Sequence, residues 1–416
     1  MLNDIIIDKL NDIFVKRIEE LNEYVLQEIG TKIKQIKNLS PNEAQRLSNV
    51  LKYGGDYDKI VNKLQKITKL NKKDIYKIFE KVAKKDYAFK KQFYDYRKIK
   101  YIPYEKNTEL KSLVNSIAKA TAETYMNIAS STNIGLGIVN QKTKQVEFKV
   151  LKQAYNDIID QAILNISTGQ ETFDTMMKKT LNELDKGLKV VYEYKDKDGN
   201  TKYYKKSLDS AVRQNINEGL SKLQQEMQKE VGEQFKSDGV EITVVYNPAP
   251  DHAEVQGKQF SNKEFKKFQN DMKATSYDGV VFEPEYNGHD RRSIGQYNCR
   301  HLVYSIILGV NEQQYSNKQL KEIIDRNNKG FNYEGKHYTL YEGSQMQRRI
   351  ETEIRHNKVD QISARARNDD DSIIKAQYNI TRLTNKYNKL CKAGGFTPRT
   401  DLLNVSGYHR LKRFDT

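Results

Sequence analysis

Tryptophan is absent from this chain, and cysteine occurs only twice. Cys299 and Cys391 stand far apart in sequence, which argues against a disulfide framework and fits a reducing compartment. Apolar residues are also scarce, at 37%, and the mean hydropathy is −0.83. Both values are low for one compact globule and suit long, solvent-washed helices attached to smaller cores. The longest apolar run, LVYSIILGV from Leu302, is too short to cross a membrane. The opening segment MLNDIIIDKLNDIF carries Asp4 and Asp8 inside its apolar pattern, so it does not read as a signal peptide. There is no Gly-rich phosphate loop of either standard pattern and no Cys-x-x-Cys pair. These absences point to a soluble product made inside a cell, with no membrane partner.

What is plentiful is positive charge. There are 71 Lys and Arg against 55 Asp and Glu, a formal net charge of +16. Such a chain is drawn to polyanions, chiefly nucleic acid or acidic protein surfaces, without reading sequence. The opposing reading is that much of this charge lies on ordinary solvated helix faces.

The 416 residues suggest two or three domains. The fold class expected is α+β, and three regions are distinguished. Residues 1–135 form a helical region with candidate docking faces. Ile6, Leu10, Ile13, Phe14, Ile18, Leu21 and Val25 recur at helical spacing, with Gly30 as a stop. Ser40-Pro41-Asn42-Glu43 makes a helix start, Asn71 is a candidate cap, and a longer helix fits Leu110–Ala129. Residues 136–340 form a mixed core. Ser130–Gly137 reads as loop, with helices resuming near Val150 and again over Thr168–Asp185. A hairpin centres on Asp198-Gly199, a helix runs from Ser207 to Phe235 and closes at Gly239, and Val240–Tyr246 is a strand. Asn247–Gly309 is irregular. Ser316 opens a capped helix, and a second hairpin turns at Glu334-Gly335. Residues 341–416 form a charged helical hairpin, broken near Asn368–Asp371 and stopped at Gly394-Gly395, and a tail.

Three constellations are candidates for chemistry. His252, Cys299 and His301 carry soft ligands for Zn²⁺, with Asp251, Glu254 or His289 as a fourth. Their spacing matches no standard zinc module, so the preferred reading is a loop held by its own hydrogen bonds, with no metal or other cofactor. Cys299 beside His301 suggests a nucleophile and base, yet residues two apart on a strand lie side by side. The same histidines with Glu254, Arg291 and Arg292 form a weak acid/base set. The third group is the basic row Arg348, Arg349, Arg355, Lys358, Arg365 and Arg367, able to touch phosphates without reading bases. Interspersed acids argue instead for intrahelical pairs such as Glu351 with Arg355.

The order of the motifs is more specific than any one of them. Strand Val240–Tyr246 is followed by Pro250-Asp251-His252-Ala253, Gln256-Gly257-Lys258, Phe260-Ser261 and Asn298-Cys299-Arg300-His301. Then come Gly309 and Tyr315, the charged start Gln347-Arg348-Arg349-Ile350-Glu351, and the closing GGFTPRTDLL…GYHR. This order resembles the phage minor capsid protein family, of the minor capsid protein 2 type. It is more distantly similar to the head-morphogenesis proteins of Mu-like phages, where a Cys stands in place of His301. A long insert, Ser261 to Arg292, separates the two motifs here, and no function is carried over to Arg291 or Arg292. The resemblance implies a structural, non-enzymatic head protein in the virion, at the capsid interior or portal vertex. It would be made in the host cytoplasm and act in head morphogenesis and DNA packaging or ejection. The implied partners are the portal protein, scaffold or major capsid protein, and packaged double-stranded DNA, with residues 1–135 as the candidate portal-docking region. In this reading His252, Gln256, Gly257, Asn298, Cys299, Arg300 and His301 are structural markers rather than catalytic residues. The alternative is an effector enzyme delivered with the head, a nuclease or an ADP-ribosyltransferase-like protein.

Overall fold

A computed structural model of the chain describes residues 4–36, 57–139, 146–167, 187–195, 199–295, 299, 301–366, 369–405 and 408–411. The expected helix start at Ser40, the helical stretch Thr168–Asp185 and the turn residue Asp198 lie outside them. The described chain is α+β, as its composition and periodicity predict.

Four long helices build the main body: α1 (Asp4–Ile36), α2 (Tyr57–Tyr96), α3 (Thr108–Ile128) and, after the shorter α4 (Leu151–Ser167), α5 (Leu208–Gln234). Their apolar stripes meet in one buried cluster that runs from Phe14 through Tyr125 and Phe235 to Ile307, across position 135. Two sequence expectations change here. Gly30 does not stop α1, which continues to Ile36. A helical glycine costs about 1 kcal/mol against alanine, and burial of Leu26 and Ile29 outweighs that. Asn71 is not a cap but lies inside the 40-residue α2, fully buried. Its amide donates to Tyr125 Oη at 2.7 Å and accepts from Arg17 at 2.5 Å. Partners on α1 and α3 therefore satisfy the side chain, so it does not compete for the backbone of its own helix.

Between α3 and α5 lies an antiparallel sheet in the order β2-β1-β3-β4. Its strands are β1 (Ile134–Val139), β2 (Val146–Val150), β3 (Lys189–Lys195) and β4 (Thr201–Ser207). The β3–β4 hairpin matches expectation, with Tyr192 opposite Tyr204 and their rings stacked 5.0 Å apart. The β1–β2 hairpin replaces a segment that reads as loop. Glycine weakens a strand on propensity, but a Cβ at Gly135 would stand 2.1 Å from the Lys149 carbonyl. The glycine is there because the neighbouring strand passes that close.

A second sheet, in the order β11-β5-β6, carries the motifs. It consists of β5 (Gly239–Ile242), β6 (Gln259–Ser261) and β11 (Val303–Ile306). Gly239 is thus in a strand rather than closing α5; the left-handed turn falls at Lys236. The strand expected over Val240–Tyr246 is correspondingly shorter. Around this sheet lie the one-turn α6 (Pro250–Ala253), α7 (Asn262–Gln269) and four two-residue strands, β7 to β10, between Ala274 and Asp290. Phe260, Phe268 and Phe282 form their common core. α8 (Asn317–Lys329) starts with the expected capping box at Ser316 and Gln319. β12 (Phe331–Tyr333) and β13 (Lys336–Tyr338) turn at Glu334 and Gly335, both with positive φ. The helical hairpin is α9 (Leu340–Ala366) and α10 (Asp370–Gly394), ended by left-handed Gly395.

The open edge of β11 is closed by side chains of the helical body. Alternate residues of β11 pair with β5, which leaves the amides and carbonyls of Val303 and Ser305 facing α2 and α5. Gln224 of α5 takes both polar groups of Val303, at 3.4 and 2.7 Å. Gln228 accepts from Ser305 N at 3.0 Å. Lys90 of α2, 1% exposed, donates to the Ser305 carbonyl at 3.2 Å. Burial lowers the Lys90 ammonium to about 8, against the pull of Asp86 one turn earlier. The Gln228 amide also donates to Asp86, at 2.6 Å. Gln228→Leu removes one acceptor and one donor from this buried set. It is expected to destabilise the chain by about 2–4 kcal/mol, two unsatisfied groups at about 1–3 each being less than additive. Urea unfolding measures this, and a loss below about 0.5 kcal/mol would refute it.

Candidate functional site

The motif residues converge at the end of the second sheet that faces α9. Ala249-Pro250 starts α6, with Pro at a first-turn position where no amide donor is needed. This turn presents His252, 1% exposed. Gln256 follows and receives the Val245 amide at 2.9 Å, tying the loop back to the end of β5. Gly257, with φ of +70°, lies against Leu320 of α8, where a Cβ would stand 2.5 Å from a methyl. Cys299 and His301 lead into β11 from the other side.

Three donor atoms meet here. Cys299 Sγ lies 3.4 Å from Nδ1 of His252 and 3.4 Å from Nδ1 of His301. Nε2 of His252 faces the Arg292 carbonyl at 2.7 Å, and Nε2 of His301 faces Gln256 Oε1 at 3.2 Å. Burial dominates the electrostatics. It lowers both imidazoles, His301 to about 3 with help from neighbouring His252, and it raises the Cys299 thiol. Cys299 and His301 thus touch rather than merely lie side by side, but a thiol held up by burial is a poor nucleophile at neutral pH, so the electrostatics argue against thiol catalysis.

Sequence reasoning missed the part played by the insert. Its far end returns to the site, where Arg292 forks onto both oxygens of Asp251 at 2.7 and 2.6 Å. Arg291 donates to the Asp251 carbonyl at 2.6 Å and to the Glu283 carbonyl at 3.2 Å. Burial alone would raise the Asp251 carboxyl, but the guanidinium fork brings it below the usual range. Adjacent arginines before a Cys/His motif were the available signal.

The site opens on a cleft of about 580 Å³ between α5, the α6 turn and α9. Arg348, Glu351 and Arg355 of α9 line it, as does Arg399 of the tail. The expected intrahelical pair of Glu351 with Arg355 is not what forms. Glu351, 2% exposed, takes a bidentate bond from Arg399, at 3.0 and 2.7 Å, and a hydroxyl from Tyr387. A carboxylate facing the α9–α10 interface is better matched by a fork from the tail than by a neighbour on its own helix.

Much of the basic row is engaged internally. Arg355 donates to Leu402 O and pairs with Glu19 of α1 at 3.4 Å. Lys358 donates to Leu403 O and sits 4.7 Å over the Tyr408 ring, and Arg365 donates to His409 O. Arg349 is exposed. Asn298, Arg300 and Arg367 lie outside the described residues.

A family model described as phage minor capsid protein 2 matches residues 2–392, and the chain belongs to that family. No curated protein and no solved structure gives a match.

The Arg292–Asp251 fork sets the position of His252. Arg292→Leu leaves a largely buried carboxylate unpaired and is expected to destabilise by about 1–3 kcal/mol. Arg292→Lys recovers only part of this, because an ammonium cannot make the bidentate bond. Thermal denaturation of both variants decides; full recovery by lysine would contradict the geometry.

Proposed function

We propose that this protein is a non-enzymatic structural component of a tailed-phage head. In this reading it is bound in few copies at the portal, in contact with packaged DNA, and acts in head morphogenesis and packaging or ejection. The observation that carries this is the family match, which extends over nearly the whole chain. The net charge of +16 supports the DNA contact. So does the solvent face of α2, where Lys66, Lys69, Lys73 and Lys77 are exposed at helical spacing and have no ion-pair partner among the described residues. Lysines in that arrangement meet phosphates as point charges without reading bases. The α9 arginines are less suited, since three basic side chains of that row hold tail carbonyls. A single-sign lysine face fits a partner that is itself a continuous polyanion.

Mass spectrometry of purified virions and procapsids tests the placement. The protein is expected in one or both with the portal protein, and its absence from both while the portal is detected overturns the proposal. In solution, double-stranded DNA binding should weaken with salt. Replacing the four lysines by Gln should lower the log–log slope by about 0.9 for each phosphate that is no longer neutralised. An unchanged slope removes α2 as the DNA face.

A further inference from the structure

The three donors at the head of the cleft do not balance as a hydrogen-bonded set. Both groups facing the Nε2 atoms are acceptors. One is the carbonyl of Arg292, and the other is Gln256 Oε1, whose orientation is fixed because it already receives the Val245 amide. Each neutral imidazole therefore carries its proton on Nε2 and turns an Nδ1 lone pair to Cys299 Sγ, 3.4 Å away in both cases. A thiol has one proton and satisfies one of those lone pairs. The other is left facing sulfur at a place where both histidines are at most 3% exposed, and an unpaired buried acceptor of this kind is costly.

We propose that His252 Nδ1, Cys299 Sγ and His301 Nδ1 bind a zinc ion, with water from the cleft in the fourth position. The three ligand atoms lie within 4.8 Å of one another, so on binding the two nitrogens draw together to the roughly 3.3 Å that two Zn–N bonds of about 2.0 Å at a tetrahedral angle require. Tetrahedral Zn–S and Zn–N bonds of about 2.3 and about 2.0 Å place sulfur and nitrogen about 3.5 Å apart, close to the 3.4 Å found here. Each ligating imidazole has its other nitrogen held by a fixed oxygen acceptor, the arrangement that orients histidines on metals. A nitrogen and thiolate set selects a borderline-soft ion over Mg²⁺ or Ca²⁺. On binding, the thiol proton leaves to solvent and the thiolate takes its place on the metal. The bidentate Arg292–Asp251 pair holds the His252 turn in place against the ion. The ion would pin the α6 loop to the segment entering β11, a structural task separate from the placement in the phage head.

The test uses the full-length chain, freed of metal with chelator and titrated with ZnCl₂ or CoCl₂ alone. One equivalent of metal and a raised melting temperature are expected. The Co²⁺ form should show tetrahedral d–d bands and a thiolate charge-transfer band. Cys299→Ser should lose the charge-transfer band, while Cys391→Ser retains it. His252→Gln and His301→Gln should each weaken binding by at least tenfold, and Gln256→Met, which acts through His301, by about 10- to 100-fold. Absence of bound metal, or a Co²⁺ spectrum of the unaltered chain without thiolate character, overturns the proposal even where a variant fails to fold. Equimolar binding that survives both His→Gln changes overturns it as well.

Discussion

Strand β11 has a free edge inside the protein, and the way it is closed decides how the two halves of the molecule meet. A buried strand edge must find partners for its amides and carbonyls. Among the described residues no fourth strand supplies them. The side-chain amides of Gln224 and Gln228 and the ammonium of Lys90 complete the ladder. The motif-bearing sheet is thereby fixed on α2 and α5, and His301, two residues before β11, inherits that position. The interaction also accounts for a buried lysine and for Asp86, whose carboxylate accepts from the same Gln228 amide.

On this frame the irregular segment between β5 and β11 acquires order without regular structure. Its apolar residues, Phe260, Phe268 and Phe282, make a small core of their own. Several of its polar side chains hold backbone or one another, as Ser276 does with Asp278 and the Val280 carbonyl, and the insert returns to the domain through Arg291 and Arg292. The helical hairpin closes the other side of the cleft, and its basic residues gather in the tail. The proposed structural role and the proposed metal site fit a segment whose chemistry is directed at holding its own loops.

The long amphipathic helices, the Ser316 capping box and the Glu334-Gly335 turn were legible because local signals decide them. Three-to-four spacing, a cap three residues from its partner and a positive-φ pair depend on nothing distant. The misread places depend on remote partners. Asn71 is helical because Tyr125 and Arg17 accommodate its amide, and Gly135 is in a strand because Lys149 passes within contact of it. The same distinction separates parts of the site. His252, Cys299 and His301 were nameable as candidate ligands from residue type alone. That both Nδ1 atoms face one sulfur follows from the tautomers imposed by Arg292 and Gln256, which no spacing rule reports. The basic row of α9 was visible as charge, but its partners in the tail lie 44 to 47 positions away.

The pairing of Glu19 with Arg355 joins the first helix of the described chain to its penultimate one. Helix α1 also packs on α5, so its buried stripe of Phe14, Ile18 and Leu21 waits for partners made much later. Contacts of such sequence separation close large loops and form late. On a translating ribosome α2 can cover its share of α1 early, but the part of α1 that packs on α5 stays uncovered while some two hundred further residues emerge, an interval of order ten seconds or more at synthesis rates of roughly 5–20 residues per second. Any factor that grips its apolar stripe during that interval competes with folding itself, and loses its binding surface once α5 and α9 have docked.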